Sequence, residues 1–138
     1  MRPTRSQPNS PDAQRGHGDH GSASTELVIA MPALLLLVLA SVHLGLWYHA
    51  RHIASAAAEE GARAASFASA NTTAGPSEAS QFIDQVGPNV LIDRQITLDR
   101  TATTVTVTIT GHSPAVIPGL TMTVTASATA PRETFRPN

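Results

Sequence analysis

The sequence predicts an α+β protein in which a long N-terminal transmembrane helix extends into a small C-terminal head with one short helix and a three-stranded antiparallel sheet. Residues 27–47 form an apolar run without Asp, Glu, Lys or Arg, long enough to cross a hydrocarbon layer of about 30 Å as a helix. Residues 90–129 instead contain three segments in which apolar and polar residues alternate, as in half-buried strands.

Composition excludes several classes of function. The 138 residues suffice for one ordinary domain, and a net charge of -1 gives no field that would attract nucleic acid. The chain has no Cys and no Lys, so thiol nucleophiles, zinc–thiolate sites, Schiff-base lysines and P-loop lysines are excluded. The residue order of a catalytic triad is also missing, so we expect neither an enzyme nor a bound cofactor or metal.

The chain divides by composition into three regions. Residues 1–21 are rich in Pro, Gly and polar side chains and are expected to be a disordered leader. Residues 22–70 are expected to form the long helix, which leaves the membrane after the aromatic pair Trp47 and Tyr48 and becomes Ala-rich. Residues 71–138 are expected to form the head, whose short helix runs from about Pro76 to Val86.

The predicted strands place their apolar residues on one face of the sheet. Val90 to Leu98 alternate in this way, and the same pattern recurs in the next two segments, where Thr occupies most of the polar positions. The apolar members of the second and third segments are Val105, Val107, Ile109, Leu120, Met122, Val124, Ala126 and Ala128. The Thr face is either solvated or an edge ladder for another subunit.

The junction between the leader and the apolar run reads GSASTE from Gly21 to Glu26. A carboxylate at the entrance to a bilayer helix is costly, so Glu26 needs an explanation. One explanation is that Glu26 lies in the first helical turn and complements the helix dipole, worth about 0.3–1 kcal/mol. A capping box is excluded, because position 23 is Ala instead of Ser or Thr.

A leader that ends in Gly and is followed five residues later by Glu and an apolar helix resembles the type IV prepilin family. The run LVIAMPALLLL after Glu26 and the segment AAAEEGARAA from Ala56 to Ala65 resemble the TadE-like branch, the minor pilins of tight-adherence pili. Within the second segment, Gly61 lowers helix propensity by about 1 kcal/mol, which indicates either close packing against the head or a bend.

This resemblance implies a minor pilin or pseudopilin that takes part in assembling a tight-adherence pilus or a related secretion apparatus. A prepilin peptidase would cut after Gly21 and leave Ser22 as the new N-terminus. Glu26 would then contact the free amine of a neighbouring subunit. The expected partners are the prepilin peptidase, other pilin subunits and assembly proteins in the membrane, and the lipid bilayer.

Small residues supply a second candidate contact between subunits. Ser41 and Gly45 form a small-x-x-x-small pair in the apolar run, and Ala54, Ala58 and Ala62 continue the spacing beyond it. His43 lies between the members of the first pair. An imidazole there either packs within a helix pair or takes part in proton or metal chemistry, and packing is the better interpretation.

Arg is more frequent before the apolar run than directly after it, which predicts a cytoplasmic N-terminus and an extracytoplasmic head. Two alternatives remain. A secretory signal peptide cut near Ala54–Ala56 fits poorly, because the apolar run exceeds the usual 7–15 residues. A single-pass, membrane-anchored adhesive or ligand-binding module would use the same helix as a plain anchor.

Overall fold

The computed structural model describes residues 20–67 and 71–132 and confirms the α+β prediction. Its elements are α1 (His20–Phe67), α2 (Ala74–Val86), β1 (Ile92–Arg100), β2 (Thr104–His112) and β3 (Thr123–Pro131). The strands form one antiparallel sheet in the order β1-β2-β3. The predicted disordered leader lies outside the described residues, except for its last two, which are already helical.

The chain divides into two compact units, one ending at Leu36 and the other beginning at Leu37. In the first unit the described residues form the N-terminal part of α1, with exposed side chains from Glu26 onward. The second unit contains the rest of α1 together with α2 and the sheet. The hydrophobic core lies entirely in this second unit.

The core is built from a small-residue stripe of α1 and one face of the sheet. From Ala50 onward the buried positions of α1 recur at intervals of three and four residues, the period of one helix face. They are Ala50, Ile53, Ala54, Ala57, Ala58, Gly61, Ala62, Ala65 and Ser66. Opposite them lie Val105, Val107, Ile109, Val124 and Ala126. The predicted alternation of β2 and β3 is therefore confirmed.

Two glycines bring α1 and α2 together. A Cβ atom placed on Gly61 would lie 2.8 Å from the Gly75 carbonyl oxygen and 3.0 Å from the Ala79 Cβ. A Cβ on Gly75 would in turn lie 2.9 Å from the Gly61 carbonyl oxygen. Neither position has space for a side chain, so Gly61 serves close packing against the head, one of the two roles predicted for it.

The strands differ from the sequence prediction at three points, the first of which is that β1 begins at Ile92 instead of Val90. The register of β1 shifts between Ile92 and Gln95, where Asp93 has a φ of 51°. This bulge removes Ile92 from the apolar face that Ile96 and Leu98 share, and Ile92 is exposed. The third strand begins at Thr123 instead of Leu120, because a turn around Gly119, with φ of 82°, precedes it.

Candidate functional site

The candidate processing site lies at the N-terminal end of α1. Gly21 and Ser22 are the second and third residues of the helix. Glu26 follows almost two turns from the helix start and its side chain is exposed. Within the described residues Glu26 lies beyond the first turn of α1, and stabilisation by the helix dipole falls off within the first turn.

The surface that follows Glu26 is apolar on all sides. Val28 is 72% exposed, and large apolar side chains remain exposed through Leu44. They are Leu27, Val28, Ile29, Met31, Leu34, Leu35, Leu36, Leu37, Val38, Val42 and Leu44. A helix that is apolar all round requires an apolar environment, and this one is long and apolar enough to cross a membrane.

The two residues of the predicted small pair are both exposed. The Ser41 Oγ donates a hydrogen bond to the Leu37 carbonyl oxygen at 2.8 Å, which satisfies the hydroxyl within the helix. Nothing lies within 4 Å of the position that a Cβ on Gly45 would occupy. Both positions therefore belong to the free surface of the second unit.

His43 is buried within the apolar run. Only 2% of its surface is exposed, and its Nδ1 accepts a long hydrogen bond of 3.5 Å from the Val116 N–H. Val116 belongs to the β2–β3 loop, defined here as residues 113–122. The loop thus covers the imidazole, and among the described residues its Nε2 is buried without a hydrogen-bond partner. His43 therefore packs against this loop and not within the helix pair that was expected.

Trp47 marks the end of the apolar run and ties it to the sheet. Its indole Nε1–H donates to the Thr123 carbonyl oxygen at 3.1 Å. The guanidinium of Arg51 lies 5.7 Å from the indole centroid, within cation–π range. Tyr48 packs edge-on against His52 with 4.5 Å between ring centroids. An aromatic and cationic band of this kind is typical of a membrane–water interface.

The small residues beyond the apolar run do not form a free surface. Ala54, Ala58 and Ala62 are buried in the core of the same chain. Their four-residue spacing serves the approach of α1 to its own sheet, so the expectation that they continue a subunit contact is wrong for these three positions. Ser41 and Gly45 are not affected by this correction.

Two arginines of β1, which sequence reasoning did not single out, connect the sheet to α2 and to the segment between the two helices. The Arg94 Nη2 donates to the Asp84 Oδ1 at 2.8 Å and to the Ser80 Oγ at 3.2 Å, both on α2. The Arg100 Nη2 donates to the Asn71 carbonyl oxygen at 2.8 Å. The sequence already shows that both arginines alternate with Ile96 and Leu98 and so share their face of β1. Their hydrogen-bond partners lie on other parts of the chain, so the sequence does not indicate what these arginines bind.

A shallow groove separates α1 from the edge strand β3. Glu59, Arg63, Phe67, Thr129 and Pro131 are among its lining residues. Arg63 pairs with Glu60 at 3.3 Å, an exposed contact between successive turns of the helix. In the part of the chain that the structure describes, no three His, Asp or Glu side chains cluster as metal ligands.

No curated protein and no solved structure matches the chain. A family model described as TadE-like protein matches residues 21–63. The matched segment begins at Gly21, includes Glu26 and the apolar run, and ends two residues after Gly61. The match confirms that the N-terminal helix of this chain is similar to the TadE-like family.

Proposed function

We propose that the chain is a minor pilin or pseudopilin, processed after Gly21 by a prepilin peptidase and active in assembly of a tight-adherence (type IV) pilus or related secretion apparatus. The family match over residues 21–63 is the observation that carries this proposal. In this proposal the N-terminus is cytoplasmic, the head is extracytoplasmic and the role is structural.

Local structure around Gly21 supports processing there. The bond between Gly21 and Ser22 lies in the first turn of α1, and terminal helical turns fray most easily. Glycine weakens a helix by about 1 kcal/mol relative to alanine, which lowers the cost of extending this turn in the peptidase site. Removal of residues 1–21 then leaves a free amine on Ser22, at the start of the membrane helix.

The charge and exposure of Glu26 support the proposed role in assembly. Its carboxylate is exposed beside large apolar side chains that are also exposed, so subunits packed side by side through this surface would surround it with hydrocarbon. Opposite charges attract far more strongly in such a medium than in water, while desolvation opposes the gain. A pair between Glu26 and the Ser22 amine of a neighbour would therefore set the register between subunits more than it would stabilise them.

Replacement of Glu26 tests the proposal in cells. The Glu26→Gln variant keeps the size of the side chain and removes its charge. We expect the peptidase to process this variant, but we expect the variant to be absent from purified pili and their subunits. Glu59→Gln is the matched control, because Glu59 is an exposed glutamate of the same helix that lies beyond the apolar run. Equal recovery of both variants with the pilus would contradict the proposed role of Glu26.

The alternative, a membrane-anchored adhesive or ligand-binding module, makes the opposite prediction. A plain anchor keeps its leader in cells that contain the peptidase, and it tolerates Glu26→Gln. An intact chain that binds an external ligand through the head would therefore replace the pilin proposal.

A further inference from the structure

The β2–β3 loop, residues 113–122, is uncharged and partly apolar. Its sequence is SPAVIPGLTM, and no Asp, Glu, Lys or Arg occurs between Thr101 and Pro131. Val116 is 39% and Leu120 is 47% exposed. A turn closes the loop tip, where the Leu120 N–H donates to the Ile117 carbonyl oxygen at 3.1 Å. The tip therefore presents apolar side chains in a compact, turn-closed segment.

Contacts of the loop with α1 show the direction in which it extends. At its base, Thr123 accepts a hydrogen bond from Trp47. Farther into the loop, Val116 donates to His43. His43 precedes Trp47 by four residues, which is about 6 Å along a helix axis. The loop thus runs from the aromatic end of the apolar run back toward its centre.

This direction places the loop at a defined depth if residues 27–47 cross a bilayer. Trp47 then lies at the interface between lipid and water. His43 lies deeper, on the hydrocarbon side of that interface. Backbone groups at this depth must be satisfied within the protein. The loop meets this requirement in part, because the Ser113 N–H bonds to the Met122 carbonyl oxygen at 3.0 Å and the Val116 N–H bonds to His43.

We propose that the β2–β3 loop is a second membrane contact, which inserts Val116, Ile117 and Leu120 into the leaflet that holds Trp47. The loop and α1 together hold the head against the lipid surface in one orientation. The turn between β1 and β2, residues 101–103, lies at the opposite end of the sheet and stays in water. The inference rests on the part of the proposed function that places residues 27–47 in a membrane, and it is independent of cleavage and of Glu26.

Site-specific fluorescence in vesicles tests this inference directly. The chain contains no Cys, so a single introduced thiol carries the only label. Val116→Cys and Leu120→Cys report on the loop, Ser41→Cys reports on the apolar run, and Ala102→Cys reports on the opposite end of the sheet. All four positions are exposed, so the labelled chains are expected to fold. Each full-length variant is labelled with a polarity-sensitive dye in phosphatidylethanolamine–phosphatidylglycerol vesicles, with and without lipids brominated on the acyl chain.

We expect the dyes on Val116→Cys and Leu120→Cys to emit at shorter wavelength than the dye on Ala102→Cys and to be quenched several-fold more strongly by the brominated lipids. Ser41→Cys is expected to be quenched most strongly. Quenching at the loop that equals quenching at Ala102→Cys, with Ser41→Cys still quenched, would overturn the loop contact and leave the membrane helix intact. Absence of quenching at Ser41→Cys would overturn both the loop contact and the membrane helix on which it rests.

Discussion

The two halves of α1 use different side chains because they meet different surroundings. Between Glu26 and Val42 the helix exposes large apolar residues such as Ile29 and Leu36. From Ala50 to Ala65 one face carries alanine and glycine almost exclusively, and that face is buried. Large side chains suit an environment supplied by lipid or neighbouring subunits, whereas small ones allow a helix backbone to approach its own sheet closely.

Burial within the chain and hydrophobicity are therefore separate properties of this helix. The most hydrophobic half contributes almost nothing to the core, while the less hydrophobic half makes most of the helical contribution. Stability of the head is therefore expected to depend on the second half, and assembly on the first. Two pairs of matched substitutions test this division, and two further pairs compare individual contacts of the head.

The largest expected effect comes from truncating a core residue of the sheet that faces the second half of α1. Ile109 is fully buried, and Ile109→Ala is expected to lower the free energy of unfolding of the head by about 2–5 kcal/mol. Ile29→Ala removes the same atoms from an exposed position in the first half and should change it by less than about 0.5 kcal/mol. Urea unfolding in detergent micelles, followed by the fluorescence of the single tryptophan, measures both. Equal destabilisation would contradict the division.

A side chain at the contact between α1 and α2 is expected to have the next largest effect. Gly61→Val forces a Cβ against the Gly75 carbonyl oxygen, 2.8 Å away, and overpacking of this kind typically costs about 1–3 kcal/mol. Gly45→Val adds the same side chain to the same helix where nothing lies within 4 Å. The midpoint of thermal unfolding by circular dichroism should fall for Gly61→Val and stay within a few degrees for Gly45→Val. The reverse order would mean that the two helices do not meet at Gly61.

The hydrogen bond at the boundary between the two halves is expected to have a smaller effect. Trp47→Phe removes the indole donor to the Thr123 carbonyl oxygen and is expected to cost about 0.5–1.5 kcal/mol. Tyr48→Phe is the matched control, since Tyr48 is the next aromatic residue and is exposed. Urea unfolding followed by far-ultraviolet circular dichroism is the suitable readout, because Trp47→Phe removes the fluorescent probe. A larger loss for Tyr48→Phe would place the attachment of the helix elsewhere.

The smallest expected effect concerns the ion pair between β1 and α2. Arg94→Ala removes the partner of Asp84 at 2.8 Å and a contact with Ser80, and partial exposure limits the loss to about 0.2–1 kcal/mol. Arg63→Ala breaks only an exposed pair with Glu60 and is expected to cost no more than about 0.5 kcal/mol. Urea unfolding at low and high salt compares them. A greater loss for Arg63→Ala would show that the groove beside β3, and not the α2 contact, stabilises the head.

Periodicity was sufficient to predict the fold, because each element carries one repeated pattern. The apolar run indicated the first half of α1, and alternation with Thr indicated β2 and β3. The apolar residues of β2 are buried as expected, but in the third segment only Val124 and Ala126 are, and Leu120 is exposed. The register shift after Ile92 was not predictable, because a bulge adds one residue without changing the composition. The contact between Gly61 and Gly75 was not predictable either, because the two glycines lie on different helices.

The candidate site was predictable only where it is continuous in sequence. Gly21, Ser22 and Glu26 lie within six residues, and their order before an apolar helix is what resembles the family. The covering of His43 by Val116 joins residues far apart in the chain. Nothing near His43 in the sequence indicates its partner.

The N-terminal residue of the protein purified from membranes tests the central claim most directly. Mass spectrometry of the intact chain, from cells with and without the prepilin peptidase, distinguishes the precursor from the processed form. The account predicts a chain that begins at Ser22 only where the peptidase is present. A chain that retains residues 1–21 in both kinds of cell would contradict it and favour the anchored module, and a start near Ala57 would show that the helix is a secretory signal.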